Sequence, residues 1–358
     1  MDDREGFRRA LLTWYKENRR DLPWRRTQDP YAILVSEILL QQTRIRTGES
    51  YFQRFMARFP TVEALAQAQP DEVIRVWEGL GYYRRAHRLH AAAKEIVKRH
   101  GGRVPRQVGA LLTLPGVGPY TAGAVASIAY GEPVPAVDGN VTRVLARLRR
   151  IQEDVTRSAT RTRVAGEATE LVPLHDPGTF NQALMELGAM VCLPRNPRCP
   201  RCPVVAWCQA RAAGEETSLP HRSRRTPVPL VAAVFGLVER PGQVLLVRRA
   251  EDDLLGGLWA LPGGEIASEE SPKDGIRRVL LEGYGWEVEP GPEVGRHAHT
   301  FSHKRWDAVG IRCHPVSIRL AGREARWVRR ADLDDLPVVP FHREFLRALG
   351  VRSLEACA

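Results

Sequence analysis

Leu114-Pro115-Gly116-Val117-Gly118-Pro119-Tyr120-Thr121-Ala122-Gly123 sets two glycines in a tight turn ahead of a helix, and Val137-Asp138-Gly139-Asn140 opens another helix shortly after it. A glycine turn at a helix N-terminus leaves backbone N–H groups pointing outward, and their partial positive charge suits a phosphate oxygen. Gly116 and Gly118 are therefore candidate contacts to a nucleic-acid backbone. Asp138 brings a carboxylate for chemistry on it. The plain alternative is a helical hairpin with a glycine turn and an Asp-Gly turn, both common in any fold. The rest of the chain decides between them.

Toward the N-terminus, residues 6 to 20 read as a helix with apolar positions Phe7, Leu11, Leu12 and Tyr15. Asp29-Pro30 is a helix start signal, and the segment from Tyr31 to Gln42 is apolar on nearly every face, so that helix is expected to be deeply buried. Glu37 lies within it. A buried carboxylate is costly unless paired or protonated, and a carboxyl kept protonated near neutral pH suits a general acid. A Glu paired with an Arg for structural reasons is the competing reading. The pattern stays helical from Pro60 to Arg99, broken at Gln69-Pro70 and at Gly79-Leu80-Gly81-Tyr82-Tyr83-Arg84. That second break combines aromatic and basic residues on a flexible loop, suited to wedging into a base stack.

Toward the C-terminus, Asn140 is expected to cap a helix through Val141, Val144, Leu145 and Leu148, with Arg143, Arg147, Arg149 and Arg150 on its polar side. A further helix near Phe180 to Met190 carries Gln182. Cys192, Cys199, Cys202 and Cys208 follow with the spacing C-x6-C-x2-C-x5-C. Four thiolates so close can enclose a [4Fe-4S] cluster or a zinc ion; the compact, asymmetric spacing favours iron–sulfur over zinc, and disulfides come third.

The 358 residues are enough for two domains, and a formal charge of +11 favours a polyanionic partner. No apolar run is long enough to span a membrane, and Met1-Asp2-Asp3-Arg4-Glu5 is unlike a signal peptide, so a soluble, cytoplasmic, monomeric protein is expected.

The glycine hairpin, Val137-Asp138 and the four-cysteine spacing together resemble the helix-hairpin-helix DNA glycosylase superfamily with its iron–sulfur loop, from about Leu22 to Cys208. Within it, Ser36-Glu37-Ile38-Leu39-Leu40-Gln41-Gln42-Thr43 and Gly79-Leu80-Gly81-Tyr82-Tyr83 resemble the MutY adenine DNA glycosylases, which remove adenine misincorporated opposite 8-oxoguanine. The endonuclease III branch, with its glycosylase/lyase chemistry on damaged pyrimidines, shares the cysteine spacing but carries a lysine just after the hairpin. This chain has Tyr120 there, which implies hydrolysis without amine-mediated strand cleavage. The resemblance further implies an all-α catalytic domain over residues 1–213, binding duplex DNA that carries A:8-oxoguanine or A:G mismatches. Glu37 would protonate the adenine ring and Asp138 would stay ionised against the oxocarbenium-like sugar, with Tyr120 and Asn140 orienting Asp138 and the nucleophilic water. Trp24, Arg25 and Gln182 would line the pocket for the flipped base, while Gln42 and Tyr82 would invade the helix with support from Leu80.

Residues 214–229 are polar and broken by prolines, and read as a linker. Beyond them Val231 to Val238 and Val244 to Val247 are strand-like around a turn at Pro241-Gly242, so residues 230–358 are expected to form an α+β domain. Around Leu258-Trp259-Ala260-Leu261-Pro262-Gly263-Gly264 it resembles a Nudix fold. Gly264, Glu270, Arg278, Glu282 and Gly285 fall on that family's signature, but Val279 and Gly283 stand where metal-binding glutamates belong. A pyrophosphohydrolase is the rival function, and the missing oxygen ligands argue against it. The MutY resemblance makes this domain the reader of 8-oxoguanine, and Phe301-Ser302-His303 supplies the means: 8-oxoguanine presents an N7–H donor where guanine has an acceptor, and Ser302 can accept from it.

Overall fold

The computed structural model describes residues 3–223, 227–250, 255–301, 303–320 and 324–347. The chain divides into two compact units, Met1–Ala68 with Arg88–Arg225, and Gln69–His87 with Thr226–Ala358. No helix among the described residues is long and apolar enough to cross a membrane.

The helices preceding the strands are α1 (Arg4–Asn18), α2 (Pro30–Leu39), α3 (Ile45–Arg58), α4 (Val62–Gln67), α5 (Pro70–Trp77), α6 (Arg84–His100), α7 (Val108–Leu111), α8 (Pro119–Tyr130), α9 (Gly139–Leu148), α10 (Ser158–Leu171), α11 (Pro177–Met190) and α12 (Gln209–Ala212). The unit boundary assigns α5 and the loop after it to the second unit. In the first unit, Phe7, Leu11 and Tyr15 of α1 join Val144, Leu145 and Leu148 of α9 and Phe180, Leu184 and Leu187 of α11 in one core. Asp29 caps α2 by accepting from the N–H groups of Tyr31 and Ala32, and Tyr31 to Leu39 are all buried. The helix ends earlier than its apolar run suggested. Thr43 N–H turns back to the Leu40 carbonyl, and Gln42 takes a left-handed φ of 59°.

Between α7 and α8 the chain winds through Leu114 N–H to Leu111 O and Val117 N–H to Leu114 O. Gly116 has φ 80°, and a Cβ there would sit 2.8 Å from Arg88 Cβ, so a side chain would meet both strain and a neighbour. No side chain caps α8 at Gly118, which leaves its first-turn N–H groups to an external acceptor.

Two sequence expectations fail around α9. The N-cap is Asp138, whose carboxylate accepts from Val141 N–H at 2.7 Å, and Asn140 stands inside the helix. Arg143 and Arg147 are not on a solvated face but buried, at 7% and 1% exposure. Neutral acceptors surround them: Arg147 donates to the carbonyls of Leu219, Leu193 and Pro194, and Arg143 to those of Cys192 and Gly188. Nor is the start of the segment read as a linker free of the helices. Arg150 donates twice to Glu215, Val155 N–H bonds the His221 carbonyl, and Ser223 N–H bonds Asp154.

The second unit carries β1 (Leu230–Arg240), β2 (Gln243–Arg248), β3 (Trp259–Ala260), β4 (Gly263–Glu265), α13 (Pro272–Tyr284), β5 (Glu287–Thr300), β6 (Arg305–Ser317), β7 (Ala325–Arg329) and α14 (Pro340–Leu346). The seven-stranded mixed sheet runs β3-β2-β1-β6-β5, with β4 paired to β1 and β7 to β2. Its central pair is parallel, from Leu230 opposite Arg305 to Val238 opposite Cys313. Phe235 of β1 packs on Trp306, Phe341 and Phe345 to make the core of this unit. The α+β expectation holds.

Candidate active site and nucleic-acid interface

One open cleft of the first unit is lined by Glu37, Asp138, Tyr120, Asn140, Trp24, Arg25, Gln182 and Gln42. Residues spread over more than 150 positions of sequence thus converge because α2 packs on α8, α8 on α11 and α11 on α9.

Glu37 is 8% exposed, walled by its own apolar helix. Burial pushes its carboxyl up to about 7 even though Tyr120 donates a hydrogen bond to it at 2.5 Å; the Asp138 charge adds to the rise and Arg25 opposes it. Burial also raises the Asp138 carboxyl, but its environment resists. Val141 N–H holds Oδ1, the Asn140 amide donates to Oδ2 at 2.8 Å, and Arg143 lends positive charge. Two carboxyls of one cleft therefore sit in different surroundings, one kept neutral by apolar walls and the other wrapped in donors.

The hydroxyl expected to orient Asp138 does something else. Tyr120 donates to Glu37 Oε2 and also approaches Met185 Sδ at 3.3 Å, while burial and both carboxylates hold its own pKa well above the usual range, so it remains a donor. Asn140 does orient Asp138. Arg143 in turn donates to Asn140 Oδ1 at 2.9 Å and to the Cys192 carbonyl at 2.7 Å, which links the catalytic helix to the start of the cysteine loop. α11 can approach this closely because position 188 is glycine: a Cβ there would come within 2.6 Å of Asn140 Cβ.

Arg25 lines the cleft but is committed to protein. Both its terminal nitrogens reach Glu186, which also accepts from the backbone and side chain of Arg20. Burial alone would raise Glu186; the hydrogen bonds from Arg20 and Arg25 hold it at about 2 instead. Gln182 accepts from Tyr15 at 3.3 Å. Sequence reasoning missed Glu186, Arg20 and Asn181. Asn181 is buried and clamps the segment leading to Asp138, accepting from Ala136 N–H and donating to the Val134 carbonyl and Ser127. A signal for Glu186 existed: it stands one helical turn beyond Gln182 among Leu184 and Leu187, the same apolar setting that singled out Glu37.

Cys192, Cys199, Cys202 and Cys208 are unpaired and line one small cavity with Val144, Leu148, Leu187 and Val204. Arg147, a buried cation, donates to Cys192 Sγ at 3.2 Å. Sulfur donors, apolar walls and a buried guanidinium on one of the sulfurs together fit an anionic, thiolate-ligated group. Among the described residues no three His, Cys, Asp or Glu side chains are close enough to share a single metal ion.

In the second unit Tyr82 is 51% exposed with φ 50°. Its loop is held by Trp77 Nε1 on the Gly81 carbonyl and by Gly79 N–H on the Tyr83 hydroxyl, and the Arg85 guanidinium lies 5.6 Å from the Tyr82 ring. Leu80 in the same loop is half-buried. Phe301 packs edge-on against His299 and Trp306, and His303 is exposed; Ser302 lies outside the described residues. On α13, Arg278 ties up both signature carboxylates, Glu270 at 2.7 Å and Glu282 at 3.0 Å.

A glycine hairpin, a cleft with paired carboxyls and a separate mixed-sheet unit define a base-excision DNA glycosylase with an appended Nudix domain. Residues 35–169 match the model of the HhH-GPD superfamily base excision DNA repair proteins, and residues 233–348 match the NUDIX domain. The chain is similar to adenine DNA glycosylase of Homo sapiens, 37% identical over 98% of this chain and 75% of that one. It is also similar to adenine DNA glycosylase of Mycolicibacterium smegmatis, at 48% over 57% of this chain and 69% of its relative. Among solved structures, a thermostable thymine-DNA glycosylase superimposes with a TM-score of 0.54 at 33% identity, covering 59% of this chain and 98% of that one. The chain belongs to the adenine DNA glycosylase family.

Proposed function

We propose that the protein hydrolyses the N-glycosidic bond of adenine paired with 8-oxoguanine or guanine in duplex DNA, leaving an abasic site for base excision repair. The single observation that carries this reading is the contrast between Glu37 and Asp138 within one cleft. Adenine leaves as an anion unless a ring nitrogen is protonated first. Glu37, whose raised carboxyl keeps a substantial protonated fraction near neutral pH, is the donor, at N7 of the flipped base. Tyr120 accompanies it, donating to the carboxyl oxygen and stabilising the carboxylate that remains. As the bond lengthens, positive charge grows on the sugar, and Asp138, held by Asn140 and Val141, faces it as a carboxylate that stabilises or traps it. Tyr120 offers no amine for a Schiff base, which favours hydrolysis over the lyase route of a pyrimidine-specific relative.

We assign a [4Fe-4S] cluster to the four thiols, which line one cavity with apolar walls and follow the compact spacing C-x6-C-x2-C-x5-C. Bound there, it would cross-link residues 192–208 into a rigid basic loop. The backbone grip falls to Gly116 and Gly118, the wedge to Gln42 and Tyr82, and recognition of 8-oxoguanine to Phe301, Ser302 and His303. With Glu270 and Glu282 engaged by Arg278, pyrophosphate hydrolysis by the second unit is not part of the reading. Single-turnover base release on A:8-oxoguanine, A:G and thymine-glycol duplexes tests it: adenine release fastest on the first and no cut of the third is expected, and pyrimidine excision with strand scission would overturn it.

A further inference from the structure

The segment after α12 reads in sequence as a spacer, yet residues 215–223 of it are fastened to the helices. Arg150 and Gln152 hold Glu215, Arg147 Nε donates to the Leu219 carbonyl at 2.9 Å, His221 bonds Gln152 and Val155, and Ser223 bonds Asp154 through backbone and side chain. This fastening brings Arg222 to the cleft that holds Asp138 and Asn140, where Arg161 of α10 also stands. Among the described residues neither guanidinium has a hydrogen-bonded or ion-paired side-chain partner. Asp154, which fastens the segment, is taken by Ser223 and Thr156.

Two unpaired cations beside a carboxylate that must face a cationic sugar do not serve the chemical step, since positive charge there opposes it. They suit the substrate's own anions. The sugar of a flipped nucleotide can reach Asp138 only if the flanking phosphates follow it to the mouth of the cleft, and a guanidinium fork fits a phosphate. We propose that the pinned segment 215–223 is part of the DNA-binding surface, presenting Arg222, together with Arg161 of the same cleft, as a phosphate clamp on the strand that carries the extruded nucleotide. The inference rests on the glycosylase reading above.

The test is the affinity of the full-length holoprotein for a duplex with a tetrahydrofuran abasic site opposite 8-oxoguanine, measured from 50 to 200 mM KCl for wild type, R222A, R161A, the double variant and R222K. Each alanine removes one phosphate contact, which lowers the slope of log Kd against log salt by about 0.9 and weakens binding roughly tenfold, while R222K keeps the slope. Smaller losses are expected on undamaged duplex, where no nucleotide is extruded to carry its flanking phosphates to the cleft, and equal losses on both duplexes would overturn the assignment to the extruded strand. A double variant with the wild-type slope and Kd would overturn the proposal. Adenine release by the wild type is followed in parallel: its absence beside an intact salt-slope effect would overturn the glycosylase reading and leave the clamp standing.

Discussion

Glu37→Gln should stabilise the protein above neutral pH while abolishing its activity. In the folded state the Glu37 carboxyl titrates at about 7, against 4.5 for an unperturbed glutamate. Between those values the unfolded chain has released a proton that the native state still holds, so stability falls as pH rises, and above pH 7 the full loss is present. The gap of 2.5 units, at 1.36 kcal/mol each, amounts to about 3 kcal/mol. Glutamine is neutral at every pH and still accepts from Tyr120, so it escapes that loss. Near pH 5 the variant should lie within about 1 kcal/mol of wild type, and at pH 8 about 3 kcal/mol above it. For a unit of roughly 200 residues this is a rise of about 6–12 °C in Tm at pH 8. Melts of both proteins at matched scan rates at pH 5 and pH 8 provide the measurement. A variant less stable than wild type at pH 8, or a difference unchanged between the two pH values, would refute burial as the cause of the shift.

Three other outcomes follow from the same geometry. Tyr120→Phe removes the hydrogen bond that lowers the Glu37 pKa, so the alkaline limb of kcat/KM should move to higher pH, with the limb unmoved if the bond is idle. Cys199→Ser should cost the brown colour and absorbance near 400 nm and open residues 192–208 to protease, whereas full colour in the variant contradicts the ligand assignment. Ser302→Ala with His303→Ala should narrow the preference for A:8-oxoguanine over A:G without changing adenine release from A:G.

What could be read in the sequence depended on whether local chemistry or packing decided the outcome. The Asp29-Pro30 start, the buried α2 and the turn at Gly116 follow from neighbours in the chain, and all are present. Asp138 as N-cap was missed because Asn140 and Asp138 are both good caps, and only the path clamped by Asn181 selects between them. Arg143 and Arg147 were misassigned to a solvated face because arginine is usually exposed; carbonyls from a distant loop make their burial tolerable. Arg25 lines the cleft as the resemblance implied, but its tie to Glu186 spans 161 positions and has no local signal. The cleft's membership was legible through the family resemblance, while its wiring, Tyr120 to Glu37 and Asn140 to Asp138, required coordinates.

The most direct measurement is single-turnover adenine release from an A:8-oxoguanine duplex by wild type and Glu37→Gln at pH 7, with duplex affinity followed alongside. The mechanism predicts release by wild type and loss of at least about 100-fold in the variant at unchanged affinity. Wild-type turnover by Glu37→Gln would contradict it.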